Sequence, residues 1–383
     1  MFHLFRPIAF GLVVWILAGA PAPVRGQEPR PADTPLRIYG LGDMGKPGPT
    51  LNRTVALLAA SVARQSSPDD AIVYLGDNFY PDGLQDRNED RVQALIRGVM
   101  DDSGLRKVQA ALTPGRVFAV AGNHEYYKLL LFGHFPLGFS EKGDAVRRRA
   151  HELGWSYAGG RADVTFLKAP DGTRVGLFLL DSAVAVAGSP SRIKEVMDEF
   201  ERHLKASAGQ ADWRVIAMHH PLVTRGDHGH SFDRAEEHGW FRRNSFPHKL
   251  DTCSKKFKRF ATELDARIAS SGVPVDLVMS GHDHNLQMIE LRKRSALGPR
   301  VQVVSGSASK VHERTRRLDR GEYLASQSGF VELNVSRAGL GIVFHGDPSP
   351  CLLNAQRESG FSAFAVSRTG EPLGTIPCGG RPD

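Results

Sequence analysis

Several side chains in this sequence stand where metal chemistry would use them. Asp43 follows LRIYGLG, Asp77 follows IVYLG, Asn123 and His124 follow FAVAG, His219 ends VIAMH, and His282 and His284 follow LVMSG; Tyr80 comes three residues after Asp77. Taken singly, each has a plain structural reading. An aspartate after glycine is a turn former, and a histidine at a strand end is usually a hydrogen-bonded structural residue. Their joint placement is what points to chemistry. Carboxylate, amide, phenol and imidazole donors in this number exceed the needs of one ion. Two ions about 3.5–4 Å apart need a shared bridging group, and such pairs drive phosphate ester hydrolysis. A carboxylate is the natural bridge.

A set like this can be gathered only by a sheet, since ligand sites in α/β proteins lie just beyond the carboxyl ends of strands. Short β-type runs recur at 36–42, 71–76, 117–122, 174–181, 213–219, 275–282 and 300–306. Between them, Leu51–Arg64, Asn88–Met100, Ser191–Lys205 and Ser254–Ala269 carry apolar residues at three- and four-residue spacing. The alternation predicts an α/β chain with at least part of the sheet parallel. FVELNV and GIVFH flank Ser336–Gly339 and predict a hairpin, so a mixed sheet or two sheets is expected rather than a simple doubly wound one.

With 383 residues, 41% hydrophobic and 24% charged, the chain can bury a sizeable core and is not of disordered composition. Residues 1–26 carry an early cation at Arg6, an apolar run from Ile8 to Leu17 and then small residues, the pattern of a signal peptide. The run falls short of the roughly 20 residues a membrane span needs. An exported protein, periplasmic or secreted, is expected, with no membrane span after signal removal; an uncleaved anchor is the alternative. Loss of Arg6 and Arg25 takes the formal charge from +7 to +5, too mildly basic for a nucleic-acid signature.

Cys351 and Cys378 share the C-terminal segment and could close a disulfide, which leaves Cys253 as a free or intermolecular thiol. No Cys-x-x-Cys pair or Gly-x-Ser-x-Gly elbow occurs, so cysteine-ligated metal and thiol or serine hydrolysis have no support. Gly226–Asp251, rich in His, Arg and Gly, and Lys310–Arg320, with five cations against two acids, read as solvated loops, or less plainly as lids or anion-steering segments. Residues 346–383 read as a short appended segment.

GDMG at 42–45, GDNFY at 76–80, GNHE at 122–125, the His219 of HHP and GHDHN at 281–285 resemble, in order, the five motifs of calcineurin-like metallophosphoesterases in the purple acid phosphatase form. The likeness to the small, tartrate-resistant type extends over residues 36–345, through VVSGS. Many relatives carry Asp-x-His in the first motif. Here Gly45 stands at that histidine position and Tyr80 follows Asp77, the substitution that distinguishes purple acid phosphatases, in which a tyrosinate binds a ferric ion.

The resemblance implies a four-layer α/β/β/α sandwich with two mixed β-sheets, its catalytic domain at 36–345. It implies a binuclear centre: Asp43, Tyr80 and His284 on Fe(III), Asn123, His219 and His282 on Zn, Fe(II) or Mn, and Asp77 bridging. The implied activity is that of an acid phosphatase, hydrolysing phosphomonoesters through a metal-bridging hydroxide. Its substrate would be a small molecule or a phosphorylated peptide, with no stable nucleic-acid partner. His124 is implied as proton donor to the leaving alcohol, and His228, nine residues after His219, as a second catalytic histidine. Glu125 and Asp283 are candidates to hold neighbouring imidazoles, or else ordinary solvated acids, and His220 is expected to be structural or to line the pocket.

Two other readings stay open. The basic stretches at 242–259 and 310–320 would suit a phosphodiesterase or nucleotide-cleaving enzyme on the same metals. A non-catalytic binding protein on the same fold is the other, although all seven ligand positions hold competent residues.

Overall fold

The computed structural model describes residues 34–353 except 66, 85–87, 131–132, 137–141, 230–251, 253, 292–294, 313–321 and 347–350, together with 365–366. The leader, the Cys351–Cys378 pairing, Cys253 and most of the two basic loops lie outside the described residues. The described residues belong to the unit Ala32–Asp383.

In chain order the first strands are β1 (Leu36–Leu41), β2 (Ala71–Leu75), β3 (Val117–Val120), β4 (Tyr127–Leu130), β5 (Gly133–Pro136), β6 (Ser156–Ala158), β7 (Ala162–Lys168) and β8 (Arg174–Leu180). They continue with β9 (Trp213–Ala217), β10 (Leu277–Ser280), β11 (Leu286–Glu290), β12 (Val301–Ser305), β13 (Tyr323–Ala325), β14 (Gly329–Ser336), β15 (Gly339–Gly346), β16 (Cys351–Leu353) and β17 (Ala365–Val366). One sheet has the order β16-β15-β14-β1-β2-β3-β6, with β17 also on β15. The other has the order β13-β11-β12-β10-β9-β8-β7, and β4 and β5 form a separate hairpin. Both large sheets are mixed. β1, β2, β3 and β6 run parallel while β14 is antiparallel to β1; β8, β9, β10 and β12 run parallel while β7 and β11 are antiparallel additions. The predicted hairpin is β14–β15, closing at Ser336↔Gly339. Past residue 345 the chain still adds β16 and β17 to this sheet.

The layers follow from which faces are apolar. One buried cluster joins residues of both sheets, including Ile38, Val73, Val120, Leu177, Val215 and Met279, and fills the space between them. A second packs the outer face of the first sheet against α1 (Pro49–Gln65), α2 (Glu89–Ile96), α3 (Leu105–Gln109) and α4 (Lys142–Glu152). A third packs the outer face of the second sheet against α5 (Val184–Ala187), α6 (Pro190–Ala206) and α7 (Lys255–Ser271). The result is the expected α/β/β/α sandwich. Strands buried on both faces explain why they read as continuous apolar runs.

Local signals set the helix ends. Ser189 accepts from the Arg192 amide at 3.3 Å with Pro190 in the first turn, so α6 begins earlier than its apolar spacing suggests. Ser254 caps α7 at its start and Gly272, at φ 69°, ends it. The helix predicted over Asn88–Met100 divides: α2 stops at Ile96 and a π-type turn, Arg97–Asp102, follows. Among the described residues, no helix is long and apolar enough to cross a membrane.

Phe200 is fully buried on α6, its ring centroid 5.8 Å from that of Phe178 on β8. Phe200→Ala is expected to cost about 3–5 kcal/mol of stability through the cavity it leaves, read as a lower midpoint in denaturant unfolding. A loss under about 1 kcal/mol would contradict this packing.

Candidate metal centre

The parallel strands of the two sheets deliver their carboxyl ends to one place. Gly42 at the end of β1 donates its N–H to the Ser305 carbonyl at the end of β12, at 2.7 Å. A Cβ at Gly42 would lie 2.7 Å from that oxygen and 2.8 Å from the Gly281 Cα, so only glycine lets the strand ends meet this closely. Asp43 N–H then donates to the Gly76 carbonyl at 3.0 Å, and Gly281 N–H to the His219 carbonyl at 2.9 Å. Immediately beyond these links the chain turns. Among the described residues, the non-glycine positions with left-handed backbone are Asp43 (φ 58°), Asp77 (φ 51°) and His282 (φ 71°), all three predicted ligands. Such conformations cost about 1–3 kcal/mol each and persist where surrounding structure holds them.

All seven predicted ligands are buried, none more than 8% exposed. They fall into two groups. Tyr80 Oη lies 2.8 Å from Asp43 Oδ1 and 3.4 Å from His284 Nε2, and that Nε2 lies 3.2 Å from Asp43 Oδ1. His219 Nε2 lies 2.9 Å from Asn123 Oδ1, 3.2 Å from His282 Nδ1 and 3.5 Å from Asp77 Oδ1. Potential ligand atoms of Asp43, Asp77 and His219 lie within 4.8 Å of one another, so Asp77 joins the groups. Donors held about 2.0–2.1 Å from one ion sit roughly 2.9–3.4 Å apart at tetrahedral to octahedral angles, close to the spacing within each group.

The hydrogen-bond directions give an independent test of fit. His219 Nδ1 lies 2.8 Å from the Leu75 carbonyl, which can only accept, so this nitrogen carries the proton. In the neutral form that a metal ligand takes, the ring would present a lone pair at Nε2 toward the Asn123 carbonyl oxygen and the Asp77 carboxylate. Lone pairs converging in a buried site repel unless a cation lies among them. The residues therefore fit a metal pair.

Electrostatics agree. Burial alone would raise Asp43, yet the hydrogen bond and charge of His284, with His219 and His282, hold it well below the usual carboxylate range. Asp77 is also lowered, by His124 and His219 acting against its burial. Burial, with Asp43 and Asp77 beside it, pushes the Tyr80 phenol well above its ordinary value. A nearby cation is what would allow that phenol to bind as phenolate.

Gly45 has a steric reason. A Cβ there would come within 2.6 Å of the Phe79 backbone, so no side chain, histidine included, fits at this position. A third donor for the first group has to come from elsewhere, and the Tyr80 phenol stands beside Asp43 and His284.

Both histidines expected to act on substrate lie at the site. His124 donates its amide to Asp77 Oδ1 at 3.0 Å; its Nδ1 lies 2.5 Å from the Pro81 carbonyl and its Nε2 lies 3.8 Å from Asp77 Oδ2. His228 has its ring centroid 4.1 Å from that of His282 and 6.0 Å from that of His284. His220 is buried, with its amide and Nδ1 both on the Ser182 hydroxyl, in keeping with a structural role.

Glu125 and Asp283 need correction. Neither holds an imidazole through the hydrogen bonds described here. Glu125 accepts from the amides of Gly122, Asn78 and Asp77 at 2.6, 2.7 and 3.1 Å, tying the turns after β2 and β3 together. Burial and the Asp77 charge push its carboxyl up to about 8. Asp283 accepts from the Thr224 hydroxyl and, at 3.1 Å, from the His228 amide. Backbone groups outcompete imidazoles because each turn leaves its amides without ladder partners.

The solvated reading of the second basic stretch also fails at its start. Lys310 and His312 are partly buried against the first group, Lys310 Nζ 3.2 Å from the Tyr80 ring centroid and His312 Nε2 3.1 Å from His284 Nδ1. In the sequence only their nearness to VVSGS hinted at this.

A sequence model of the calcineurin-like phosphoesterases matches residues 36–286. The chain is 26% identical to human tartrate-resistant acid phosphatase type 5 over 250 residues, 62% of this chain and 59% of that protein. It is 24% identical to the rat protein of that name over 276 residues, covering 68% and 69%. To purple acid phosphatase 17 of Arabidopsis thaliana it is 23% identical over 280 residues, covering 68% and 65%. The match therefore spans less than two thirds of the human and Arabidopsis proteins. Among solved structures, GAP50, described as the anchor in the inner membrane complex of Plasmodium, aligns with a TM-score of 0.58 at 16% identity, over 85% of this chain and 90% of that one. PhoD aligns with a TM-score of 0.55 at 11% identity, over 90% and 72%. At these identities the structural likenesses speak for the fold.

Proposed function

The chain belongs to the calcineurin-like phosphoesterase family, and on that premise we propose that it is an exported acid phosphatase that hydrolyses phosphomonoesters at a binuclear Fe(III)–M(II) centre. One observation carries the reading within the family. The Tyr80 phenol lies 2.8 Å from Asp43 and 3.4 Å from His284, beside a Gly45 that leaves no room for a ligand of its own. Phenolate and carboxylate are hard anionic donors suited to Fe(III), while an amide with two imidazoles suits Zn, Fe(II) or Mn. Export rests on the leader-like residues 1–26.

Asp43, Tyr80 and His284 would hold one ion, Asn123, His219 and His282 the other, and Asp77 both. Bound there, the ions would neutralise phosphate charge and supply hydroxide in acid. The chain's own residues do the rest. Left-handed turns at Asp43, Asp77 and His282 aim the donors inward. The Pro81 carbonyl fixes His124 Nδ1 as a donor, so its Nε2 faces Asp77 and can carry a proton to a leaving alkoxide. His228, its ring centroid 4.1 Å from that of His282, would line the site beside that ligand.

Hydrolysis of an aryl phosphomonoester by the mature chain should peak in acid and exceed that of the corresponding bis-ester. A strong preference for the bis-ester would overturn the monoesterase reading. His124→Gln is expected to lower kcat by about 10²–10⁴-fold while both ions stay bound. A kcat within a few fold of the parent would remove His124 from the chemistry.

A further inference from the structure

We propose that the segment Ser309–His312 after β12 is a clamp dedicated to the first metal position, in which Ser309 holds the backbone of Asp43, Lys310 the ring of Tyr80 and His312 the imidazole of His284. The inference rests on the reading above that Asp43, Tyr80 and His284 bind one ion of a pair. The Ser309 hydroxyl donates to the Asp43 carbonyl and accepts from the Lys46 amide at 3.2 Å, which pins the left-handed turn carrying the Asp43 carboxylate. The Lys310 ammonium lies 3.2 Å from the Tyr80 ring centroid. A cation on an aromatic face is attracted by the ring's quadrupole, more so when the ring carries phenolate charge.

His312 acts on the third donor. His284 Nε2 faces Asp43 and Tyr80, which leaves Nδ1 as its outer nitrogen, 3.1 Å from His312 Nε2. The His312 amide also donates to the His284 carbonyl at 2.9 Å. A ligating histidine usually gives its outer N–H to a carboxylate or carbonyl, which fixes its tautomer and ring orientation. Here an imidazole takes that place, and its own Nδ1 lies 3.8 Å from Asp227 Oδ2, so a carboxylate stands one ring further out. One stretch of four residues thus touches Asp43, Tyr80 and His284. These are positioning residues: they act on the ion through its ligands.

The test is metal binding rather than turnover. The full mature chain, stripped with chelator, is titrated calorimetrically with Zn²⁺ as parent, Lys310→Met, Lys310→Arg and His312→Phe, and each metal-free form is melted. In the parent, two binding events are expected. Lys310→Met and His312→Phe should weaken one event about 10–100-fold and leave the other unchanged, with metal-free melting unaltered and Lys310→Arg close to the parent. Two events of parental strength in both variants would overturn the clamp, as would equal weakening of both events or a matching loss in the metal-free melt. A parent that binds fewer than two ions would overturn the two-metal reading itself and the clamp with it.

Discussion

Asp77→Asn is expected to abolish turnover and leave at most one ion per chain. The variant isolates charge from backbone. Asp77 sits at φ 51°, a conformation asparagine tolerates better than most residues, so the turn should survive. The amide is also close to the carboxylate in shape and still accepts the His124 N–H that reaches Oδ1 at 3.0 Å. What it lacks is the negative charge that two cations would share in a site where Asp77 is 2% exposed. Without it the second ion loses an anionic donor, leaving Asn123, His219 and His282, all neutral, and the repulsion between ions goes unscreened. Lewis-acid stabilisation by a metal is worth several kcal/mol, so its loss corresponds to at least about a thousandfold in kcat. Elemental analysis and turnover on the same preparation check both parts; two ions per chain in the variant would contradict the bridging role.

Gly122→Ala should disable the centre although Gly122 is no ligand. Its Cβ would lie 3.0 Å from Asp77 Cγ and closer still to Asp77 Oδ1 and the Asp77 amide nitrogen. None of these atoms is the free end of a flexible chain. The amide of Gly122 also donates to Glu125 Oε2 at 2.6 Å, and the same carboxylate holds Asn78 and Asp77. Relief of the overlap therefore moves the bridge, the Glu125 tie or both. Overpacking of this kind costs about 1–3 kcal/mol, and displacement of a reacting geometry by an ångström costs about a hundredfold in rate. We expect reduced metal content, kcat down by that factor or more, and a modestly lower unfolding midpoint. Parental metal content and kcat in Gly122→Ala would show that the turns after β2 and β3 have slack that these contacts deny.

The sequence by itself determined which donor residues stand at the strand ends and the strands that carry them. Runs such as AIVYL and VQVVS are apolar on both faces because both faces are covered, so they stand out without knowledge of their partners. Donor types after Gly42, Gly76, Gly122 and Gly281 announced the turns, since glycine beside aspartate or asparagine is a local signal of left-handed or tight backbone. Helix ends were displaced where a cap rather than periodicity sets them, as Ser189 and Pro190 do for α6.

The tertiary structure decided everything that depends on residues far apart in the chain. That β1 lies against β14, with Leu36 opposite Val335, has no local signature, because any apolar strand satisfies the same pattern. Glu125 looked like a partner for imidazoles until the neighbouring turn brought two amides to it beside that of Gly122. The exclusion of a side chain at Gly45 depends on where the Phe79 backbone passes. Lys310 and His312 read as the solvated start of a charged run, and only the carboxyl end of β12 beside those of β1 and β10 sets them against Tyr80 and His284. Periodicity and turn chemistry are short-range properties that a sequence carries openly, whereas the space around a residue is fixed by whatever packs there, often hundreds of positions away.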